Sequence, residues 1–516
     1  MQRSFLKNLL WLQALNWLIK PLWILLIERE IQLQLGDGLY GQYAVHFGIG
    51  TLFAVLLDAG LNAYTSREIA MGERLASWKR LLGLRLGLTF IYVAAVVLFS
   101  LFQYSVVWNL ILLVIINQLL AAGVLVVRAI LQGKHQFKFD SIVSVADRFV
   151  AIVVLIFVFG LLSNKGIGNH GVEKFLLAQG TGYAVALLAG LWFSRRFSKI
   201  NDLESAVSEF GSKALTDQNI AFIPWVKSMG WFVILGLTMS AFTRLDIQML
   251  QWFTLDVTAV MELPGDFPKP QNPGFLANGM YAKGYRFLDA ALIFSSMLSI
   301  QLLPLFSKRI SENLELQSLV WMGFRIVFMV SVSAAVVGYF YGAPLMGSFY
   351  HLTEYAEVYN MGQLFFGFML VFIAMSTVHV FGTLLTAAGD VKWLSFLAFV
   401  CLAVNIGVDS MQIPMLGPFG ALEGSMITQG LFAVGCIYRA HRKRLFEWKW
   451  DFFEFFVYQI AIPIVVFFAI KSIFGYGTTM NKNTMVALLT SLIISMVLMI
   501  YINFGAEIKR WKSDRK

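Results

Sequence analysis

Apolar runs of about 20 residues recur from one end of this chain to the other. As a helix, a run of that length matches the hydrocarbon thickness of a bilayer. Inside hydrocarbon every backbone polar group must find its partner within the chain, which leaves helices as the local solution. The expected fold is therefore an all-α polytopic membrane protein of about fourteen transmembrane helices. The spans fall near 9–32, 41–63, 82–102, 107–127, 140–162, 174–193, 227–251, 279–304, 320–342, 362–384, 393–411, 419–438, 452–474 and 484–506. Composition agrees, with 14% charged residues against about 25% in soluble domains. The run from Leu9 to Ile27 is interrupted by Lys20-Pro21 and lacks a small-residue cleavage site, so it reads as a retained first helix rather than a signal peptide.

Basic loops stay in the cytoplasm. With the N-terminus inside, 27 of the 40 Lys and Arg fall in inner segments, 5 in outer loops and 8 within spans. A missed or invented helix would scramble that asymmetry, so the distribution supports the span number as well as cytoplasmic ends. Trp78, Trp108, Trp192, Trp252, Trp321 and Trp393 lie near span ends, where interfacial aromatics belong. The net charge of +10 does not point to nucleic acid, because the basic residues sit in short loops between apolar runs. Cys401 and Cys436 both lie in apolar segments and read as buried thiols.

The chain repeats itself at an offset of about 240–255 residues. Gly41-Gln42-Tyr43-Ala44 opens the second span and Gly279-Met280-Tyr281-Ala282 the eighth. Arg67-Glu68-Ile69 is matched by Lys308-Arg309-Ile310, and Gly133-Lys134 by Gly389-Asp390. Six helices per repeat is an even number, so the halves share orientation, as in parallel-repeat transporters. The expected division is an N-terminal lobe over 1–194, a linker over 195–226, a C-terminal lobe over 227–438, and two further spans with a basic tail over 439–516. Within the linker, Phe197, Ile200, Leu203, Val207 and Phe210 recur at helical spacing beside Arg195, Arg196 and Lys199, which suits an amphipathic helix on the inner leaflet. The outer loop 255–278 carries four prolines and reads as irregular.

Ionisable residues inside a membrane cost at least about 2.5–3.5 kcal/mol each and face protein or a water-filled cavity. The basic ones here are Lys20, Arg29, Arg85, Arg148, Arg244, Arg286, Arg325 and Lys471; the acidic ones are Asp58, Asp147, Asp246, Asp289 and Glu423. Arg29, Arg85 and Arg325 lie near span ends and can snorkel to water. Arg148 stands beside Asp147 and reads as a structural ion pair. Arg286 and Asp289 share a helical face and can pair. Arg244 and Asp246 diverge by about 160° around their helix. Lys20, Arg244 and Arg286, in spans 1, 7 and 8, are expected to line a cationic cavity between the halves that takes a phosphate or pyrophosphate. His46 and His379 read as hydrogen-bonded helix residues. No Gly-x-x-x-x-Gly-Lys-Ser/Thr loop, metal-spaced ligand cluster or Gly-x-Ser-x-Gly nucleophile is present, so an enzyme is not expected.

With these features placed, the chain resembles the polysaccharide and O-antigen flippases of the multidrug/oligosaccharidyl-lipid/polysaccharide exporter superfamily. The matching stretches are Leu39-Tyr40-Gly41-Gln42-Tyr43, Leu57-Asp58-Ala59-Gly60-Leu61-Asn62 and Ser66-Arg67-Glu68-Ile69-Ala70. The second half adds Gly279-Met280-Tyr281-Ala282 with Arg286 and Asp289, and Leu384-Leu385-Thr386-Ala387-Ala388-Gly389. The resemblance implies two six-helix lobes plus two C-terminal helices in the bacterial cytoplasmic (inner) membrane. It implies inner-to-outer movement of a lipid-linked oligosaccharide on undecaprenyl diphosphate, with membrane lipids and other polysaccharide assembly proteins as partners. It also implies coupling to a Na⁺ or H⁺ gradient, for which Asp58, Asp246 and Asp289 are the residues, and no cofactor. Two alternatives are an ion-coupled multidrug exporter of the same superfamily, which would want an acidic cavity, and a glycan-modifying membrane enzyme.

Overall fold

The computed structural model describes residues 19, 21–70, 78–103, 105–134, 136–163, 166–168, 170–196, 218–254, 272–447, 451–474 and 481–513. Lys20, the apolar face expected over 197–210 and all but the end of the 255–278 loop lie outside the described residues.

The described residues are helical with no strand. In chain order we label α1 Arg29–Leu52, α2 Leu61–Ala70, α3 Trp78–Ser100, α4 Trp108–Gly133, α5 Phe137–Val153, α6 Gly171–Arg196 and α7 Gln218–Phe253. There follow α8 Pro273–Ser311, α9 Gln317–Tyr350, α10 Tyr355–Ala387, α11 Val391–Leu416, α12 Pro418–Arg442, α13 Asp451–Phe474 and α14 Lys482–Ser513.

Among the described residues, 12 stretches are long and apolar enough to cross a membrane. Two features account for the difference from fourteen. The first stretch, Trp23–Asp58, is 36 residues long. As one helix it would reach about 54 Å, far more than a hydrocarbon core of about 30 Å. Gly36 breaks it at φ 71, ψ 169, a backbone state open essentially to glycine, so the stretch holds the end of the expected first span, whose beginning lies outside the described residues, and the second span. The other is α12, 25 residues long and bracketed by charged and polar side chains that dilute its hydropathy. The protein is a multi-pass membrane protein.

The chain divides into two compact units, Met1–Gln248 and Met249–Lys516. In the first, α6 packs along both α4 and α5, while α1 and α2 lie against α4. Ile49, Leu57, Tyr92, Val96, Ile111 and Ile115 form one core cluster, and Val124, Val127, Leu131, Val143 and Ala186 another. Helix α7 as far as Gln248 belongs here too: Gln248 Nε2 donates to Val45 O at 3.0 Å and Ser240 Oγ to Thr51 O at 3.1 Å.

In the second unit α10 is the central pillar, contacting α8, α9 and α12. The α9–α10 crossing is backbone against backbone: a Cβ at Gly342 would lie 2.8 Å from Gly362 O, and one at Gly362 would lie 2.6 Å from Ala343 N. Small residues let membrane helices approach this closely, and dispersion then replaces the hydrophobic drive that lipid cannot supply. Helices α13 and α14 pair with each other and dock on α9. Phe455 and Phe456 make that dock, with Phe455 4.8 Å from Trp321 and Phe456 4.9 Å from Phe328 between ring centroids.

Charge pairs fasten the basic end of each unit. In the first, Arg128 Nε donates to Asp140 Oδ1 at 2.7 Å. In the second, Asp390 stands just before α11 and accepts from Arg439 Nε at 2.6 Å, with Lys443 Nζ at 3.1 Å. Burial pushes the Asp390 carboxyl up, but hydrogen bonds from Arg439 and Lys443 outweigh that and hold it below its ordinary value. A depressed carboxylate contributes stability above its unfolded pKa of about 3.9 and loses that contribution as pH falls through the lower folded value. The unfolding temperature of the purified protein should therefore hold above about pH 4 and drop below it. Arg439→Met should lower the plateau and shift the drop to higher pH; an unchanged profile in that variant would show that the pair contributes nothing.

Candidate functional site

The charged residues inside the spans fall into sets with different partners. Arg286 lies on α8, and its Nη1 donates to Asp289 Oδ2 at 2.8 Å, the pairing expected from their spacing. Both side chains keep some access to solvent, at 13% and 19%. The pair thus holds a guanidinium in a fixed position on α8, with limited access to solvent. Arg244 is half-buried on α7, whereas Asp246 two residues on is buried, so the two point apart as their spacing requires. Arg244 belongs to the first compact unit and Arg286 to the second.

Asp58 has a local task. Its Oδ1 accepts from the Asn62 amide at 2.9 Å, across a turn in which Ala59 and Gly60 have φ of 43° and 77°. Asn62 Oδ1 in turn accepts from Arg85 Nη2 at 2.9 Å. The Leu57-Asp58-Ala59-Gly60-Leu61-Asn62 stretch is therefore a capped corner leading into α2.

Arg148 has its expected ion pair, Nε to Asp147 Oδ2 at 3.7 Å, and its guanidinium lies 4.9 Å from the Trp23 ring and 5.8 Å from the Tyr183 ring. Trp23 Nε1 donates to the buried Glu28 at 2.8 Å, so aromatic and acidic groups surround this cation. Arg325 donates to Asn503 O and Lys471 to Phe340 O, which ties α9 to both C-terminal helices.

The histidines are hydrogen-bonded. His46 Nδ1 lies 2.7 Å from Gln42 O and its Nε2 accepts from the Val107 amide at 3.0 Å, which fixes the proton on Nδ1. His379 Nδ1 meets Ser295 Oγ at 2.7 Å between α10 and α8. Cys401 and Cys436 are buried free thiols. Among the described residues, no group of three or more His, Cys, Asp or Glu could hold a metal ion.

One set was not singled out from the sequence. Asn405 and Asp409, one turn apart on α11, are both fully buried, as is Thr428 on α12. The carboxylate lies against the α12 backbone, where a Cβ at Gly424 would stand 1.8 Å from Asp409 Oδ1 and 3.3 Å from Asn405 Nδ2. Thr428 Oγ1 donates to Gly424 O at 2.6 Å. Neither side-chain polar atom of Asn405 has a hydrogen-bond partner. A buried carboxylic acid and an amide one turn apart in a membrane-spanning helix offer hard oxygen atoms, the kind of group that takes a small hard cation or a proton. The acid weighed from the sequence in this region, Glu423, is exposed instead. The signal available was Asn405 and Asp409 spaced i,i+4 in an apolar run, which puts both on one helix face.

The chain is similar in fold to solved membrane transporters. A structure of the lipid II flippase MurJ in an inward closed conformation aligns with a TM-score of 0.58 at 11% identity, covering 98% of this chain and 99% of that one. A mutant form of the Vibrio cholerae MATE transporter VcmN aligns with a TM-score of 0.52 at 16% identity, covering 86% and 98%. No curated protein matches the sequence. Residues 5–310 match the family described as polysaccharide biosynthesis protein. With more than half its length matched, the chain belongs to the polysaccharide biosynthesis protein family.

Proposed function

We propose that this protein is a flippase. It carries a polyprenyl-diphosphate-linked oligosaccharide from the inner to the outer leaflet of the bacterial cytoplasmic membrane, by alternating access, for surface polysaccharide synthesis. Its N- and C-termini lie in the cytoplasm, as the charge count requires. The observation that carries the reading is the held cation Arg286, fixed by Asp289 on a membrane-spanning helix of a chain in this family. A fixed guanidinium offers paired donors to phosphate oxygens, and Arg244 and Lys20 supply further positive charge. The glycan crosses through polar interior while the lipid tail stays in the bilayer. Family partners for such cargo are the other proteins of polysaccharide assembly.

Coupling to a Na⁺ or H⁺ gradient belongs to the same proposal. Asp246 and Asp289 remain candidates for it, and the buried Asn405 and Asp409 on α11 add another. The capping bond of Asp58 gives that residue the weakest claim.

The test is complementation of a strain lacking the gene, read as surface glycan per cell. A charge-assisted hydrogen bond is worth about 1.5–3 kcal/mol, so Arg244→Ala and Arg286→Ala should each cut export about ten-fold or more at equal protein in the membrane. Arg286→Lys should retain part of it. Normal surface glycan with both alanine variants would sink the cationic site.

A further inference from the structure

A pocket of about 250 Å³ opens where α9, α13 and α14 meet, and none of its lining residues is assigned above to cargo. Its walls include Arg325 of α9, Glu454, Tyr458 and Gln459 of α13, and Asn503 of α14. Gln459 is fully buried, yet neither its Nε2 nor its Oε1 has a hydrogen-bond partner. An amide withdrawn from water and left unpaired is costly. Such a group in a polar pocket needs a ligand or a water to satisfy it. The pocket is wide enough for more than one water molecule.

The lining says what kind of ligand. Arg325 brings a guanidinium suited to a phosphate oxygen. Glu454, exposed at the mouth, brings one negative charge. One cation and one anion in the same pocket suit a group carrying both signs and disfavour a purely anionic one. The position agrees: Arg325 and Gln459 each lie about two turns into their helices, at the end of the unit that also carries Arg439 and Lys443. Trp321 and Tyr458 mark interface depth there. Ile502 in the lining is exposed, as are Val457 and Ile460 of α13, so both C-terminal helices offer acyl chains apolar side chains.

We infer that this pocket binds the headgroup of a zwitterionic glycerophospholipid, with the phosphate on Arg325, the ammonium on Glu454 and Gln459 hydrogen-bonded to the headgroup. Since Arg325 already bonds Asn503 O and lies 5.9 Å from the Trp321 ring, the lipid joins α14 and α13 to α9. It fastens the two C-terminal helices to the unit, whatever the cargo is.

The experiment is native mass spectrometry of the full chain in detergent. Dioleoyl phosphatidylethanolamine and dioleoyl phosphatidylglycerol are titrated side by side, with glycerophosphoethanolamine as soluble competitor. Wild type should hold one phosphatidylethanolamine in about ten-fold preference over phosphatidylglycerol. Arg325→Met and Gln459→Leu should remove the adduct, and Glu454→Gln should shift preference towards phosphatidylglycerol. Thermal unfolding in nanodiscs of the two lipids guards against misfolded variants: wild type should be more stable in phosphatidylethanolamine, and Gln459→Leu should lose that difference. Equal binding of both lipids overturns the proposal. So does Gln459→Leu gaining stability equally in both, which would mean the pocket holds only water. Full displacement by millimolar glycerophosphoethanolamine also overturns it, in favour of a soluble phosphate ester.

Discussion

Gly424→Ala should reduce surface glycan to a tenth of the wild-type level or less. The added methyl would stand 1.8 Å from Asp409 Oδ1, so the carboxylate must leave its place against α12. No other position is open to it without cost, because Asp409 and Asn405 are both fully buried. Displacing a buried acidic group from its fitted place within a membrane-spanning segment is costly, and a loss of about 1.4 kcal/mol already corresponds to ten-fold. Surface glycan in a complemented deletion strain is the readout, with membrane abundance followed by immunoblot. Asp409→Asn separates the chemistry from the packing: it keeps the shape and removes the charge. If the oxygen set carries the coupling ion, Asp409→Asn abolishes export at normal abundance. Full export with Asp409→Asn would leave this cluster a purely structural role.

Gly342→Val should cost about 3 kcal/mol of stability or more, the upper range for overpacking. A valine would drive its side chain into the Gly362 carbonyl, where even a Cβ would lie 2.8 Å away. Neither backbone can yield locally, since both belong to helices of more than 30 residues whose hydrogen bonds have no substitute in lipid. Because α10 also contacts α8 and α12, separating it from α9 loosens the whole unit. Thermal unfolding of the detergent-purified protein should show the loss, with reduced yield from membranes. An unfolding temperature equal to wild type would mean that this crossing is not under tension.

The apolar runs made the helices legible, because in a membrane local hydropathy and global position are one constraint. The Arg286–Asp289 pair was legible for a similar reason, as helical spacing alone brings the two together. What the sequence concealed depends on which helices touch. Asp409 gains its interest from a glycine on another helix, and Gln459 from a pocket that three helices form together. Neither environment is encoded within one element. Asp58 shows the opposite case: its acidic side chain in an apolar run suggested ion coupling, while a left-handed turn at Ala59 and Gly60 gives it a capping bond. Lys20 and the 197–210 face stay expectations from the sequence, outside the described residues.

The break at Gly36 bears on how the chain enters the membrane during synthesis. Within the stretch that it divides, Trp23–Asp58, 18 residues reach a mean hydropathy of 1.2, against 2.7 for 18 residues of Trp108–Gly133. More than half of those 18 residues, 56%, are buried inside the protein rather than presented to lipid. The partners that bury it, α4 and α6, leave the ribosome later. The first two crossings therefore hold their place by neighbours that do not yet exist when they emerge. Synthesis order and packing order run opposite ways here, and the opening helices are settled only once the middle of the first unit has been made.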